Sequence, residues 1–437
     1  MVKVSVLVPI YNVSDYLEVC LESLKMQDLQ EMEIICINDG STDDSSAIAH
    51  KYAEQDKRFL VIDKANSGYG KSMNLGLSKA QGEYIGIVES DDFVEPGMFS
   101  SLYAIAHDQK ADVVKSAYWV HTNGHDAYNE AASVDLYDRV LSSEQSLAVF
   151  NWNPSIWSNL YRREFLEENN IRFLESPGAS FQDVAWRVKV FACARRAVFT
   201  RKAFYHYRRD NVNASVRTDG KLFCVCDEYD EAERFLRQRG DWGSRYRYLL
   251  PYLRWGHYNW NCFDRWLSLG SRYKFYCRMV KEFIGFEEQK LLSREYWDKG
   301  SWLALQQMLC DSRQFFYNRY ALFLQKAIVL QGFLPTLCGA SRLAIYGAGQ
   351  VGREALAALC LYSKAPDCFA VTSLEGNTET IENVPVRPIA ELLPYKDQYV
   401  VLIAVAAAAQ PEIVEHLLEQ GFQHVVAFLP GIRQALR

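Results

Sequence analysis

Apolar positions in the first 120 residues switch repeatedly between a strand period and a helix period. Val4–Pro9 is a short apolar run that predicts a buried strand, and Leu17, Cys20, Leu21 and Leu24 then recur at helical spacing. Glu33–Asp39 predicts a second strand running into the turn cluster Asn38-Asp39-Gly40-Ser41. Ser41 to Asp44 offer N-caps for a helix reaching about Asp56. Phe59–Lys64 and Tyr84–Val88 predict further strands, with a helix over Lys71–Ala80 between them. A helix near Met98–Asp108 and a strand near Asp112–Val120 complete the series. Repeated strand–helix units imply a mostly parallel sheet covered by helices. Ligands of such sheets bind at the carboxyl ends of the strands. The polar clusters Tyr11–Asn12, Asn38–Asp39 and Glu89–Asp92 all fall at ends of that kind.

The pattern then changes twice. Residues 121–220 are less regular and are interrupted by Pro154, Pro177 and Gly178. From about Lys221 to Pro335 it is helical and rich in Trp, Tyr and Arg. A fresh strand at Arg342 leads into Gly347-Ala348-Gly349-Gln350-Val351-Gly352, and alternation resumes with strands over 368–373, 400–406 and 424–429 and a helix over 411–420. The expected organisation is an α/β domain over 1–220, a helical aromatic region over 221–338 and a small Rossmann-like α/β domain over 339–437.

Composition narrows the class. The chain has 437 residues, 49% apolar and 23% charged, which excludes a mainly disordered or fibrous protein. A net charge of −6 offers no basic surface for phosphate neutralisation, so nucleic acid is not an expected partner. Aromatics reach 14%, enough for large cores and for rings lining a sugar or nucleotide site. The 11 cysteines are scattered without a CxxC, which reads as buried thiols in a reducing compartment. The N-terminal stretch alternates too strongly for a signal peptide. The longest apolar run, Val400 to Ala409, falls short of the ~20 residues of a spanning helix. The expectation is a cytoplasmic chain, with contact at the inner face of a membrane left open.

The sharpest chemical signal is Glu89-Ser90-Asp91-Asp92, three carboxylates in four residues after a buried strand. Crowded like charges cost free energy unless donors or a cation neutralise them. Hard oxygen ligands suit Mg²⁺ or Mn²⁺ bridging to phosphates. A solvated acidic turn that caps the next helix is the alternative.

Four segments occur in order: Val4–Asn12, Ile37–Asp43, Asn66–Gly76 and Glu89–Asp92. Together they resemble the family 2 glycosyltransferases. Gly178–Trp186 is similar to the segment where that family carries its catalytic base, and Tyr205–Ser215 to the segment that closes its catalytic domain. The resemblance covers about residues 1–220. It implies a GT-A nucleotide-diphospho-sugar transferase fold, a UDP-sugar donor, Mn²⁺ or Mg²⁺, and inversion at the anomeric carbon. The implied acceptor is a glycan or lipid-linked glycan in bacterial surface polysaccharide synthesis.

Carried over by position, the resemblance implies that Pro9 and Tyr11 flank the nucleotide base. Asp39 accepts the uracil N3 hydrogen, Asn66 and Lys71 border the ribose or diphosphate, and Asp91 lies at the ribose and metal side. Asp92 coordinates the metal, and His206 is a further ligand candidate, although a His flanked by Tyr205 and Tyr207 is more often a packed strand residue. Glu89 stands where an Asp is more usual. Asp183 is the candidate general base, since an attacking hydroxyl must lose its proton; it is also a candidate N-cap for a helix over Trp186–Ala194. Arg208, Arg209, Asn213 and Ser215 are candidates for a lid over the diphosphate. Trp157 and Trp186 are candidates for sugar stacking or for core.

Gly347–Gly352 has GxGxxG spacing after a strand and before a helix. A dinucleotide site also needs a carboxylate ending the next strand, where Thr372 and Ser373 stand instead. The expected role of this region is structural or oligomerising, with a nucleotide-sugar ligand second. Two other functions stay in play: an inactive sugar-nucleotide-binding scaffold, and an oxidoreductase acting through the C-terminal domain.

Overall fold

The structure is a computed structural model. It describes residues 1–150, 154–178, 181–209, 211, 221–243, 245–265, 269–319, 341–360, 365–406 and 409–428. Packing divides the chain into two units, Met1–Val216 with Phe223–Tyr246, and Arg217–Leu222 with Arg247–Arg437.

In the first unit β1 (Val4–Ile10), β2 (Met32–Asn38), β3 (Phe59–Asp63) and β4 (Tyr84–Ile87) are parallel in the order β3-β2-β1-β4. β1, β2 and β4 are buried throughout, as strands with both faces covered must be. Helices α1 (Ser14–Lys25), α2 (Ser45–Gln55) and α3 (Tyr69–Lys79) make the crossovers. The apolar runs therefore bring all the polar strand ends to one edge.

Beyond β4 the sheet becomes mixed, with strands that periodicity does not predict. β9 (Asn159–Arg162) inserts antiparallel between β4 and β6 (Val113–Thr122). β7 (His125–Asn129) folds back on β6 through Asn123 and Gly124, both at positive φ as a tight hairpin turn requires. β10 (Ala197–Arg208) runs parallel to β6, but its register shifts between Thr200 and Tyr205 break the alternation a sequence reading relies on. β5 (Phe93–Val94) and β8 (Val140–Leu141) pair antiparallel with the end and the start of β10. Helices α4 (Met98–Asp108), α5 (Arg163–Glu168), α6 (Gln182–Cys193) and α7 (Cys224–Gln238) complete the unit. α7 lies beyond the boundary expected near residue 220. It stays with the first unit because Tyr229, Ala232 and Leu236 are buried there and Glu231 pairs with Lys189 of α6.

The second unit holds α8 (Tyr246–Asn259) from Arg247 onward, α9 (Leu269–Glu288) and α10 (Lys299–Cys310), packed on rings such as Trp255, Phe263, Phe283 and Trp297. Its sheet places β14 (Val384–Pro388), β12 (Cys368–Val371), β11 (Arg342–Tyr346), β15 (Tyr399–Ile403) and β16 (His424–Ala427) side by side, all parallel. β13 (Thr380–Ile381) pairs antiparallel with β14 at the edge. In chain order the five parallel strands read 3-2-1-4-5, the doubly wound arrangement. Helices α11 (Gln350–Cys360) and α12 (Gln410–Glu419) follow β11 and β15. The helical region and this sheet, expected as separate segments, are one unit. Tyr273 of α9 donates to Glu415 of α12 at 3.1 Å, and Arg313 pairs with the same carboxylate. Among the described residues no helix is long and apolar enough to cross a membrane.

Candidate active site

Three loops at the carboxyl edge of the first sheet are fastened to one another by local polar chemistry. Asn12, at φ 49, accepts from the Thr42 N–H at 2.8 Å, and its own N–H donates to Ser41 Oγ at 3.1 Å. Val13 and Ser14 N–H groups donate to Ser45 Oγ and Asp43 Oδ2 at 3.0 and 2.9 Å. This bracing holds Tyr11 outward, 53% exposed, while Pro9 is buried inside β1.

Asp39 follows β2 and is buried. Its two oxygens accept from the Ser67 and Gly68 N–H groups at 2.8 and 2.9 Å, and the Lys64 ammonium pairs with it. The carboxylate thereby draws the loop before α3 across the mouth of β2. Gly68 and Gly70 let that loop touch residues 174–178: a Cβ on Gly70 would sit 2.0 Å from the Leu174 carbonyl oxygen. Asn66 and Lys71, on the same loop and helix start, are exposed.

The acidic cluster lies past β4, and its three members are held differently. Asp92 is 1% exposed, with one oxygen accepting from Tyr205 OH and the other from the Arg208 N–H, both at 2.7 Å. Burial, then the charge of Asp91, pushes its carboxyl well above the usual range. Asp91 is more open. One oxygen accepts from Asn211 Nδ2 at 2.8 Å, and its carbonyl takes the Arg208 Nε–H. Glu89 receives the Tyr69 hydroxyl at 2.7 Å, while its own N–H donates to Tyr205 OH at 3.0 Å. Burial, with the charges of Asp91 and Asp183, raises Glu89 to about 7 against the Tyr69 hydrogen bond.

Asp183 joins this group electrostatically, since its charge is felt at Glu89, Tyr69 and Tyr207. It occupies the first turn of α6, which begins at Gln182, ahead of the expected start at Trp186. The cap position belongs to Phe181, at φ 60, so Asp183 is a helical residue and not the N-cap. Burial raises its carboxyl, opposed by the Arg187 charge, by N–H groups of the helix start and by Lys115. Gln182 beside it donates to Ser176 Oγ at 3.2 Å, tying the helix start to the loop that packs on Gly68.

Several residues that sequence reasoning did not assign shape this site. Tyr205 bridges Glu89 and Asp92 by one hydroxyl. Lys115, near the start of β6, sends its ammonium to Ser155 O and Oγ at 3.1 and 2.6 Å and to Ser158 Oγ at 3.2 Å. Burial and the neighbouring Arg187 lower it to about 7. Glu228 of α7 is buried, and neither carboxyl oxygen has a well-formed hydrogen bond. A lysine within the strand-forming segment Val113–Val120 is a sequence signal, because unpaired lysines are almost never fully buried.

Other expected site residues lie elsewhere. His206 alternates with Tyr205 along β10 and points to the opposite face, onto Phe93 at 4.4 Å and toward His121 and Asp126, so it is not among the carboxylates. Trp186 is core, stacked on Phe173 at 4.0 Å. Trp157 stacks on Tyr205 and Tyr207 at 4.3 and 5.2 Å, within the layer behind Asp92. Arg208 is engaged with Asp91 and Asp92, Arg209 is exposed, and Asn213 and Ser215 lie outside the described residues.

In the second unit the glycines serve close packing. Gly347 has φ 112 with a Cβ path into the Ala404 carbonyl at 2.7 Å, and a Cβ on Gly352 would meet Gly347 O at 2.0 Å. The Thr372 hydroxyl lies 2.6 Å from Tyr346 OH, and Asp367 accepts from the Leu343 N–H at 2.7 Å at the other end of the strand. The carboxylate a dinucleotide ribose needs is absent from the end of β12 among the described residues.

Residues 5–201 match the family model described as glycosyl transferase family 2. The chain is 33% identical over 223 residues to uncharacterized glycosyltransferase YibD of Escherichia coli (strain K12), covering 49% of this chain but only 63% of that one. It is 30% identical over 275 residues to putative glycosyltransferase EpsH of Bacillus subtilis (strain 168), covering 62% of this chain and 80% of the relative. In fold it is similar to S. aureus TarS 1-349 in complex with UDP-GlcNAc, with a TM-score of 0.53 at 20% identity, over 76% of this chain and 92% of that one.

Proposed function

The chain belongs to glycosyl transferase family 2, with the GT-A fold in its first unit, and on that premise we propose that it moves a sugar from a UDP-sugar to a glycan hydroxyl. The observation that carries the reading is the convergence of Asp91 and Asp183 on Glu89 at the carboxyl edge of the sheet, near enough that both charges raise the Glu89 carboxyl. The raised carboxyl of Asp183 suits a base, because a more basic carboxylate takes a hydroxyl proton more readily near neutral pH. The acceptor oxygen, losing its proton to Asp183, attacks the anomeric carbon from the side opposite the diphosphate. The bond to the diphosphate oxygen breaks with its electron pair, and the configuration inverts. Tyr11 packs on the uracil ring, and a remaining lone pair of Asp39 accepts its N3–H. Lys71 and Asn66 face the ribose and diphosphate.

The donor set fits a divalent cation. Three hard carboxylates crowd together, and one oxygen of Asp91 has no protein donor among the described residues. Asp91, with Glu89 beside it, would hold Mn²⁺ or Mg²⁺, and the cation would neutralise charge on the diphosphate. Asp92, 1% exposed and with both oxygens accepting from β10, anchors that strand end, and Asp91 is the more open of the two carboxylates. Thermal shift and turnover with a panel of UDP-sugars, with and without Mn²⁺, test the proposal. A donor that stabilises the chain and is turned over only with metal supports it. Equal turnover after chelation overturns the cation's role, and binding without any transfer or hydrolysis favours an inactive scaffold.

A further inference from the structure

On the face of the first sheet opposite Tyr205, three ligand-type side chains from three strands meet. His121 lies near the end of β6, Asp126 faces it across the β6–β7 hairpin, and His206 lies on the adjoining β10. Asp126 Oδ1 is 2.8 Å from His121 Nδ1 and 3.0 Å from His206 Nδ1, and one ligand atom of each residue lies within 4.8 Å of the others. We propose that His121, Asp126 and His206 form a second metal site, for a first-row transition dication of the Zn²⁺ class, apart from the carboxylates of the sugar-transfer site.

The chemistry of the set favours such an ion over Mg²⁺. Two imidazoles and one carboxylate suit Zn²⁺ and its neighbours, whereas Mg²⁺ prefers oxygen and water. Zn²⁺ bonds of about 2.0–2.1 Å in tetrahedral geometry put ligand atoms about 3.3 Å apart, so the two Asp126 contacts need to open by a few tenths of an ångström while the two imidazoles, within 4.8 Å, draw together. The other His206 nitrogen, Nε2, lies 3.6 Å from Glu95 Oε1, just beyond hydrogen-bond distance, so a small rotation gives it the outer partner that metal-bound imidazoles usually have. Phe93 stacks on the His206 ring at 4.4 Å and meets His121 edge-on at 5.1 Å, fixing both ring planes. The His121 and His206 side chains are 15% and 11% exposed, while Asp126 at 35% leaves a path for the ion and a fourth position for water. A bound ion would pin the hairpin to the strand whose Tyr205 and Arg208 hold Asp92.

The test uses the full chain stripped of metal by chelation and titrated with Co²⁺, read by ligand-field absorption and by calorimetry. His121→Ala and Asp126→Ala alter the hairpin and leave the stacked His206 in place. Asp91→Asn serves as the arm that reports the sugar-transfer cation. The expected result is one equivalent of four-coordinate Co²⁺, displaced by Zn²⁺, with affinity at least tenfold weaker in each hairpin variant and unchanged in Asp91→Asn. Absence of that species, its persistence at full affinity in both folded hairpin variants, or its loss in Asp91→Asn alone would each overturn the assignment, leaving a hydrogen-bonded trio.

Discussion

Glu228 offers a direct test of how the interior beneath Asp183 is balanced. It lies on α7, 1% exposed, and neither oxygen has a well-formed hydrogen bond. Burial first, then the Asp183 charge, pushes its carboxyl up to about 9, and Lys189 and the Ala185 N–H oppose this only in part. In the unfolded chain a glutamate titrates near 4.3. Between those values the folded state holds a proton that the unfolded state has lost, so stability falls as pH rises through the window. The contribution is fully present below the unfolded value and is lost at about 1.4 kcal/mol per pH unit above it. Glu228→Gln keeps the shape of the neutral acid and cannot ionise. The variant should match the parent near pH 5 and exceed it by about 2–5 kcal/mol at pH 8, roughly 5–15 °C in the melting temperature of a unit this size. Thermal unfolding of both proteins at pH 5, 6.5 and 8 measures the gap. A gap that does not widen with pH would mean that Glu228 is already ionised in the folded state, and the argument from burial fails.

Asp183→Asn should lower transfer by about 10²–10⁴-fold while leaving UDP affinity within a few-fold, measured by kinetics and calorimetry on one preparation; a parallel loss of affinity would move Asp183 to the donor site. Asp92→Ala strands the Tyr205 hydroxyl and the Arg208 N–H, so it should cost about 2–4 kcal/mol of stability. Asp91→Ala should instead leave the melting temperature nearly unchanged and abolish any effect of Mn²⁺ on UDP binding; the two roles are exchanged if the melts show the reverse. Gly70→Ala drives a Cβ to 2.0 Å from a backbone oxygen, and a stability loss of about 1–3 kcal/mol by urea unfolding should accompany weaker donor binding. An unperturbed variant would show that the loop before α3 does not depend on that approach.

Much of the first sheet is legible in the sequence, because its strands are continuous apolar runs that end in polar turns. Val4–Ile10, Met32–Asn38 and Tyr84–Ile87 are buried on both faces, so local hydrophobicity alone marks them. The candidate site was legible to the same degree, since Asp39, Asp91 and Asp92 stand where those runs stop. The Asn123-Gly124 hairpin could also have been read from its turn residues. The chain-order information ends there. β10 mixes exposed Arg201 and Lys202 with buried Tyr205 across a bulge, and no fixed period survives such a shift. Which carboxylates are free is likewise a tertiary matter: the partners of Asp92 are 113 and 116 residues away, so its sequence motif cannot tell an anchor from a ligand. His206 is adjacent to Tyr205 in sequence and opposite to it in space, because successive strand residues face opposite sides. Hydrophobic period is a local property of the chain and fixes where elements lie. Hydrogen-bond partners, burial and charge proximity depend on residues brought from far along it, and only the packed structure decides them.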